Sequence, residues 1–93
     1  SSLLAADAKE NYEKVCAKCH GVDGKGETTM GKKLKVKDYT DPKVQAGMKD
    51  EEMMKFIKEG KKDGDKTLMK SYADAFSDDE IKALIQYVRK FKK

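Results

Sequence analysis

Every cysteine and histidine in the chain falls within five consecutive residues. The stretch is VCAKCHG, residues 15–21, and it holds Cys16, Cys19 and His20. Whatever these side chains bind must be bound at one point, so the rest of the chain has to fold around that point. The remaining sequence is poorly equipped to fold on apolar burial alone. Of its 93 residues 38% are apolar and 41% charged, and Trp is absent. Ordering one residue costs about 1–2 kcal/mol of backbone entropy, and a chain this polar has little apolar surface to set against it. Its apolar residues nevertheless recur with helical periods, which argues against disorder. A bound apolar group would complete such a core.

The length supports one domain, residues 1–93. Residues 3–19 are predicted to form a first helix, with Leu4, Ala8, Tyr12 and Val15 on one face. Residues 20–41, with Gly21, Gly24, Gly26 and Gly31, read as a long loop with turns. Asp41 caps a short helix that opens on Pro42 and ends near Gly47. Asp50 starts another, with acids in its first turn and Met53, Met54, Phe56 and Ile57 as its apolar residues, and Gly60 stops it. Residues 61–76 read as a second irregular stretch. Ser77 and Glu80 form a capping box for a last helix, whose stripe is Ile81, Leu84, Ile85 and Val88 with Tyr87 and Phe91 at its edge. No strand pattern exceeds three or four residues. The expected class is all-α, with two long loops that need an organiser.

Net charge is +4, and 20 of the 21 basic residues are Lys, with Arg89 alone. Seventeen acids lie among them. A nucleic-acid binder concentrates its basic residues and uses Arg for bidentate contacts, so nucleic acid is not the expected partner. No apolar run approaches the ~20 residues that span a membrane. The chain begins SSLLAADAKE without Met, which suggests a mature form with its signal peptide removed.

Cys-x-x-Cys serves several chemistries. A structural zinc site needs four ligands, and this segment offers three. A thioredoxin-like dithiol sits at a helix start in a βαβ setting, whereas here a helix precedes the motif and no βαβ pattern exists. A disulfide across two residues would close a tiny loop and add little. Cys-x-x-Cys-His is also the attachment signature of c-type haem. Two thiols add to the two vinyl groups of one porphyrin edge, and the histidine that follows lies under the iron. This reading uses every Cys and His present and supplies the missing core.

The chain resembles the class I c-type cytochromes, especially small bacterial single-haem ones. Ala8, Tyr12 and Cys16 match a first-helix pattern of small residue, aromatic and first thiol. CHGVDGKG, from residue 19, looks like the family's glycine-rich turn. LMKSYADAFSDDEIKALIQYVRKF, from residue 68, looks like its ending: a ligand Met, a Tyr three residues on, then a capped helix. The resemblance implies a cytochrome c fold, four to five short helices around one covalent haem c, with the first and last helices crossing through Ala8, Tyr12 and Tyr87. It implies Cys16 and Cys19 as haem anchors and His20 as an iron ligand. Lys70 stands where the family usually has Pro after the ligand Met. Lys37 stands where it often has Pro in the loop that holds the haem histidine.

One histidine excludes bis-histidine ligation within the chain, so a thioether is the expected sixth ligand. Met53 and Met54 sit on a helix and read as core fillers. Met30 lies close after His20, and Met48 precedes a helix. Met69 lies in the loop that must cross the opposite face, and both the family pattern and the ligand chemistry point to it. Iron and haem held by His20 and Met69 suit one-electron transfer, with no catalytic residue expected and the polypeptide acting as carrier, not enzyme. Five lysines, 25, 32, 33, 35 and 37, interrupted only by Glu27 among acids, would form a basic collar for an acidic redox partner. The alternative for that run is an ordinary solvated loop. The polar surface favours a monomer, and haem attachment in the family implies the periplasm. The rival readings are a haem-based sensing module or weak peroxidase with a labile Met ligand, and a non-haem dithiol protein.

Overall fold

A single helical run carries the chain from Ser2 to His20 in three parts: α1 (Ser2–Asn11), a π-helical segment (Tyr12–Cys16) and α2 (Ala17–His20). The computed structural model describes residues 2–92, with side chains from Asp7 to Lys92. The helix expected over 3–19 is therefore present, but it is wider in the middle than an α-helix. The Ala17 N–H reaches back five residues to the Tyr12 carbonyl. This π geometry inserts about one extra residue into the turn and resets the helical phase. Tyr12, Cys16 and Ala17 all pack on the core as a result. Ala8 and Tyr12 are buried as expected and Val15 is half-buried, while the Leu4 side chain lies outside the described residues.

The stretch expected to be loop over 20–41 contains α3 (Thr29–Leu34). Its sequence, TMGKKL, has no apolar period, so nothing in the patterning announces it. The Thr28 hydroxyl makes it by accepting the Gly31 N–H at 2.8 Å, and Lys35 ends it in the left-handed region at φ 57°. α4 (Pro42–Gly47) follows, capped by the Asp41 carboxylate on the Lys43 N–H, and then α5 (Asp50–Glu59). Both match the expected positions.

The second stretch expected to be irregular holds a small antiparallel hairpin, β1 (Lys61–Asp63) and β2 (Lys66–Met69). Asp63 pairs with Lys66 around a two-residue turn whose Gly64 has φ 61°. The positive φ is the signature of a primed hairpin turn, and Gly reaches it without strain. α6 (Asp78–Arg89) closes the fold on the expected capping box: Ser77 Oγ accepts the Glu80 N–H, and the Glu80 carboxylate accepts the Ser77 N–H.

The α6 stripe is the surface on which the other elements assemble. Ile81, Leu84, Ile85 and Val88 are all buried, and Tyr12, Ala17 and Met53 pack with them. Burying a side chain of this class contributes about 1.5–3 kcal/mol, more than a typical polar contact at about 0.5–1.5 kcal/mol. The first helical run crosses α6, with the Tyr12 ring of its π-helical segment 5.2 Å from Tyr87 and from Phe91 just beyond the end of α6. This is the expected crossing of first and last helices. Among the described residues no helix is long and apolar enough to cross a membrane.

Candidate functional site

Cys16, Cys19 and His20 sit at the C-terminal end of the first helical run, where the last carbonyls have no partner within the helix. The loop that follows supplies those partners. Gly21 N–H closes on the Ala17 carbonyl at 2.8 Å, Thr28 Oγ1 donates to the Cys19 carbonyl at 2.8 Å, and Gly26 N–H donates to the His20 carbonyl at 2.8 Å. The loop thus folds back over the motif. It comes so close that a side chain at Gly31 would put its Cβ 2.2 Å from the Cys19 carbonyl oxygen. From the other side, the buried Tyr12 hydroxyl donates to the Gly21 carbonyl at 2.7 Å.

The His20 ring is largely withdrawn from water. Tyr39 stacks on it with centroids 4.8 Å apart and planes 23° from parallel. Burial lowers its pKa to about 4, so the imidazole is neutral at pH 7 and keeps a lone pair. Its Nδ1 is buried and has no hydrogen-bond partner. Buried polar atoms are nearly always paired, so an unpaired one calls for a partner from outside the protein or a ligand role. Cys16 and Cys19 are half-buried free thiols. Burial and the neighbouring Cys19 push the Cys16 thiol up to about 12, which keeps it protonated and neutral. The donor set is therefore two unpaired thiols and a neutral imidazole with an unsatisfied nitrogen. Among the described residues no cluster of three or more His, Cys, Asp or Glu side chains could hold a bare metal ion. These donors fit a porphyrin carrying its own iron.

Met69 is carried by a different element, the hairpin. It ends β2 opposite Lys61 and is half-buried. Met53 is buried in the core and Met54 and Met48 pack against it, as expected of core fillers for the first two. The lysines of the expected collar, 25, 32, 33, 35 and 37, are all exposed, and among the described residues none enters an ion pair.

Three features of the site were not anticipated from the sequence. Tyr39 stacks on His20, Thr28 ties α3 to Cys19, and the buried Gln45 holds the Tyr39 backbone. The only signal for Tyr39 was an aromatic residue within a charged loop. For Gln45 it was a polar residue in a helix too short to show a period.

Residues 4–88 match the family model described as cytochrome C oxidase, cbb3-type, subunit III. The chain belongs to this cytochrome c family. No curated protein sequence matches the cytochrome. Among solved structures it is similar to the KustC0563 c-type cytochrome, with 34% identity and a TM-score of 0.80 over 92% of this chain and 98% of that one. It is similar also to a variant of Kustc0563 with one tyrosine replaced by phenylalanine, at 32% identity and a TM-score of 0.80 over 92% and 99% of the two chains. The cytochrome c fold and an iron-containing, covalently bound haem c follow from this membership, as does haem-based electron transfer as the general activity.

Proposed function

We propose that this cytochrome is a single-haem electron carrier in which His20 and Met69 are the axial ligands and Cys16 and Cys19 the thioether anchors. The observation that carries this reading is the unpartnered, buried Nδ1 of a neutral His20 directly beside two unpaired thiols. The bound haem iron supplies the one-electron couple. The chain's own residues hold and shield it. Cys16 and Cys19 fix one porphyrin edge to the helix end, and the loop folded over Cys19 and His20 prevents that end from fraying. Burial of His20 limits the water beside it, which favours the less charged ferrous state. A thioether from Met69 would raise the potential further and occupy the sixth position.

The exposed lysines 25, 32, 33, 35 and 37 support docking of an acidic redox protein through the loop after the haem motif. A monomer in the periplasm is the setting we propose.

A second reading, a ligand-binding or weakly peroxidatic haem module, is favoured by one observation. Met69 stands on a hairpin whose other residues are mostly exposed, not in the core. Visible spectra of both oxidation states separate the two readings. A far-red sulfur-to-iron band in the ferric protein, lost in Met69→Ala and kept when Met30, Met48, Met53 or Met54 is replaced, supports the carrier. Absence of that band from the unaltered protein at neutral pH favours the second reading.

A further inference from the structure

Arg89 is the one arginine beside 20 lysines, and it makes more hydrogen bonds than any lysine among the described residues. Its Nη1 donates to the Gln45 carbonyl at 2.8 Å and to Gln45 Oε1 at 3.0 Å. Its Nη2 donates to the Met48 carbonyl and pairs with Asp50 at 2.7 Å. A planar fork can satisfy several acceptors at once, which a lysine ammonium on a flexible stem does poorly. One guanidinium thus fastens the end of α6 to the end of α4 and the start of α5.

Gln45, at 5% exposure, is the buried partner. Its side chain is fully used. Oε1 accepts from Arg89, while Nε2 donates to the Tyr39 carbonyl at 2.6 Å and to the Val88 carbonyl at 3.0 Å. Two carbonyls on one side and a guanidinium on the other leave only one way for this amide to face. Tyr39 is therefore gripped at both backbone groups, because its N–H also donates to the Gly24 carbonyl at 2.8 Å. The ring so held is the one stacked on His20.

We propose that Gln45, clamped by Arg89, is a positioning residue for the haem centre: it fixes the Tyr39 backbone, and through it the ring packed on His20. This rests on the reading that His20 ligates the iron. Releasing Tyr39 loosens the wall beside the imidazole and admits water. Water stabilises the ferric state, which carries one more positive charge, so the potential falls. The plane of the imidazole also becomes less fixed. Neither residue touches the haem in this account. Both act through Tyr39.

The test uses the haem-loaded protein and three variants. Gln45→Met keeps length and removes both donors. Arg89→Lys keeps the charge and removes the fork. Ile81→Val trims the core away from this network and serves as a control for general loss of stability. Midpoint potentials are measured by spectroelectrochemistry, and the haem-methyl proton shifts of the ferric protein report the imidazole plane. Gln45→Met is expected to favour the ferric form by about threefold at a fixed potential, a fall of ~30 mV at 59 mV per tenfold for one electron. It is also expected to redistribute the methyl shifts. Arg89→Lys is expected to do the same to a smaller degree. Ile81→Val is expected to lower the melting temperature and leave both readouts in place. If Gln45→Met and Arg89→Lys only lose stability, as the control does, the proposal is overturned. An unaltered protein that lacks a covalent haem spectrum overturns the functional reading and this inference with it. An intact haem spectrum with unmoved variants overturns this inference alone.

Discussion

Tyr12 joins the helix crossing to the haem motif, and its two halves can be separated by substitution. The hydroxyl donates to the Gly21 carbonyl at 2.7 Å, one residue beyond His20. The ring sits 5.2 Å from Tyr87 and from Phe91. Tyr12→Phe removes only the hydrogen bond. The Gly21 carbonyl keeps a second donor, the Gly24 N–H at 3.1 Å, so no buried acceptor is orphaned. The cost is then that of one ordinary hydrogen bond, about 0.5–1.5 kcal/mol, or ~4–8 °C in melting temperature per kcal/mol for a domain of this size. Tyr12→Ala removes the ring as well. Truncating a buried aromatic costs about 3–5 kcal/mol, and each aromatic pair is worth about 0.5–1.5 kcal/mol beyond its burial. Guanidinium melts of the two haem-loaded variants, followed by circular dichroism, measure both. Tyr12→Phe should lose less than half of what Tyr12→Ala loses. A Tyr12→Phe variant as unstable as Tyr12→Ala would refute the assignment of the larger share to ring packing. One with unchanged stability would refute a structural role for the hydrogen bond.

Two glycines should respond in opposite directions to alanine. At Gly31 the new Cβ would meet the Cys19 and Gly26 carbonyl oxygens at 2.2 and 2.5 Å, so we expect a loss at or above the ~1–3 kcal/mol of an overpacked site and poorer haem loading in the host, read from the absorbance ratio of haem to protein. At Gly47, inside α4 with nothing within 4 Å of the new Cβ, alanine should raise stability by about 0.4–1 kcal/mol in the same melts. Ser77→Ala removes the acceptor of the Glu80 N–H and should cost about 0.5–2 kcal/mol, with Ser77→Gly milder by the same assay. Oxidation of the reduced protein by an anionic inorganic complex should slow steeply between 10 mM and 500 mM salt, and Lys32→Glu with Lys33→Glu should flatten that dependence in stopped-flow traces.

The parts of this molecule legible in its sequence are those whose cause is local. The Ser77 and Glu80 pair, the Asp41-Pro42 start and the α6 stripe each act within a turn or two, and each stands where the sequence places it. Cys16, Cys19 and His20 are brought together for the same reason, because one short helix end carries all three side chains. α3 was not legible, since its six residues form a helix only because Thr28 caps it while reaching back to Cys19. The hairpin left one usable trace, Gly64-Asp65, a dipeptide suited to a primed turn with Gly first, but its strands are lysine-rich and carry no alternation.

The wall of the site is the hardest part to read, and the reason is physical. Tyr39 meets His20 across 19 residues, and Gln45 reaches Val88 across 43. Such contacts are set by how α4 and α6 pack, not by any pattern within either segment. A chain with so few apolar residues cannot fix a loop on its histidine by burial alone. It uses a buried amide and its single guanidinium instead, and those polar contacts hold only in the packed fold. This division also explains why the grouping of the thiols with His20 is easier to read than the place of the proposed sixth ligand. The first three share one helix end, whereas Met69 stands on a largely solvent-facing hairpin, and the role proposed for it depends on how that hairpin packs.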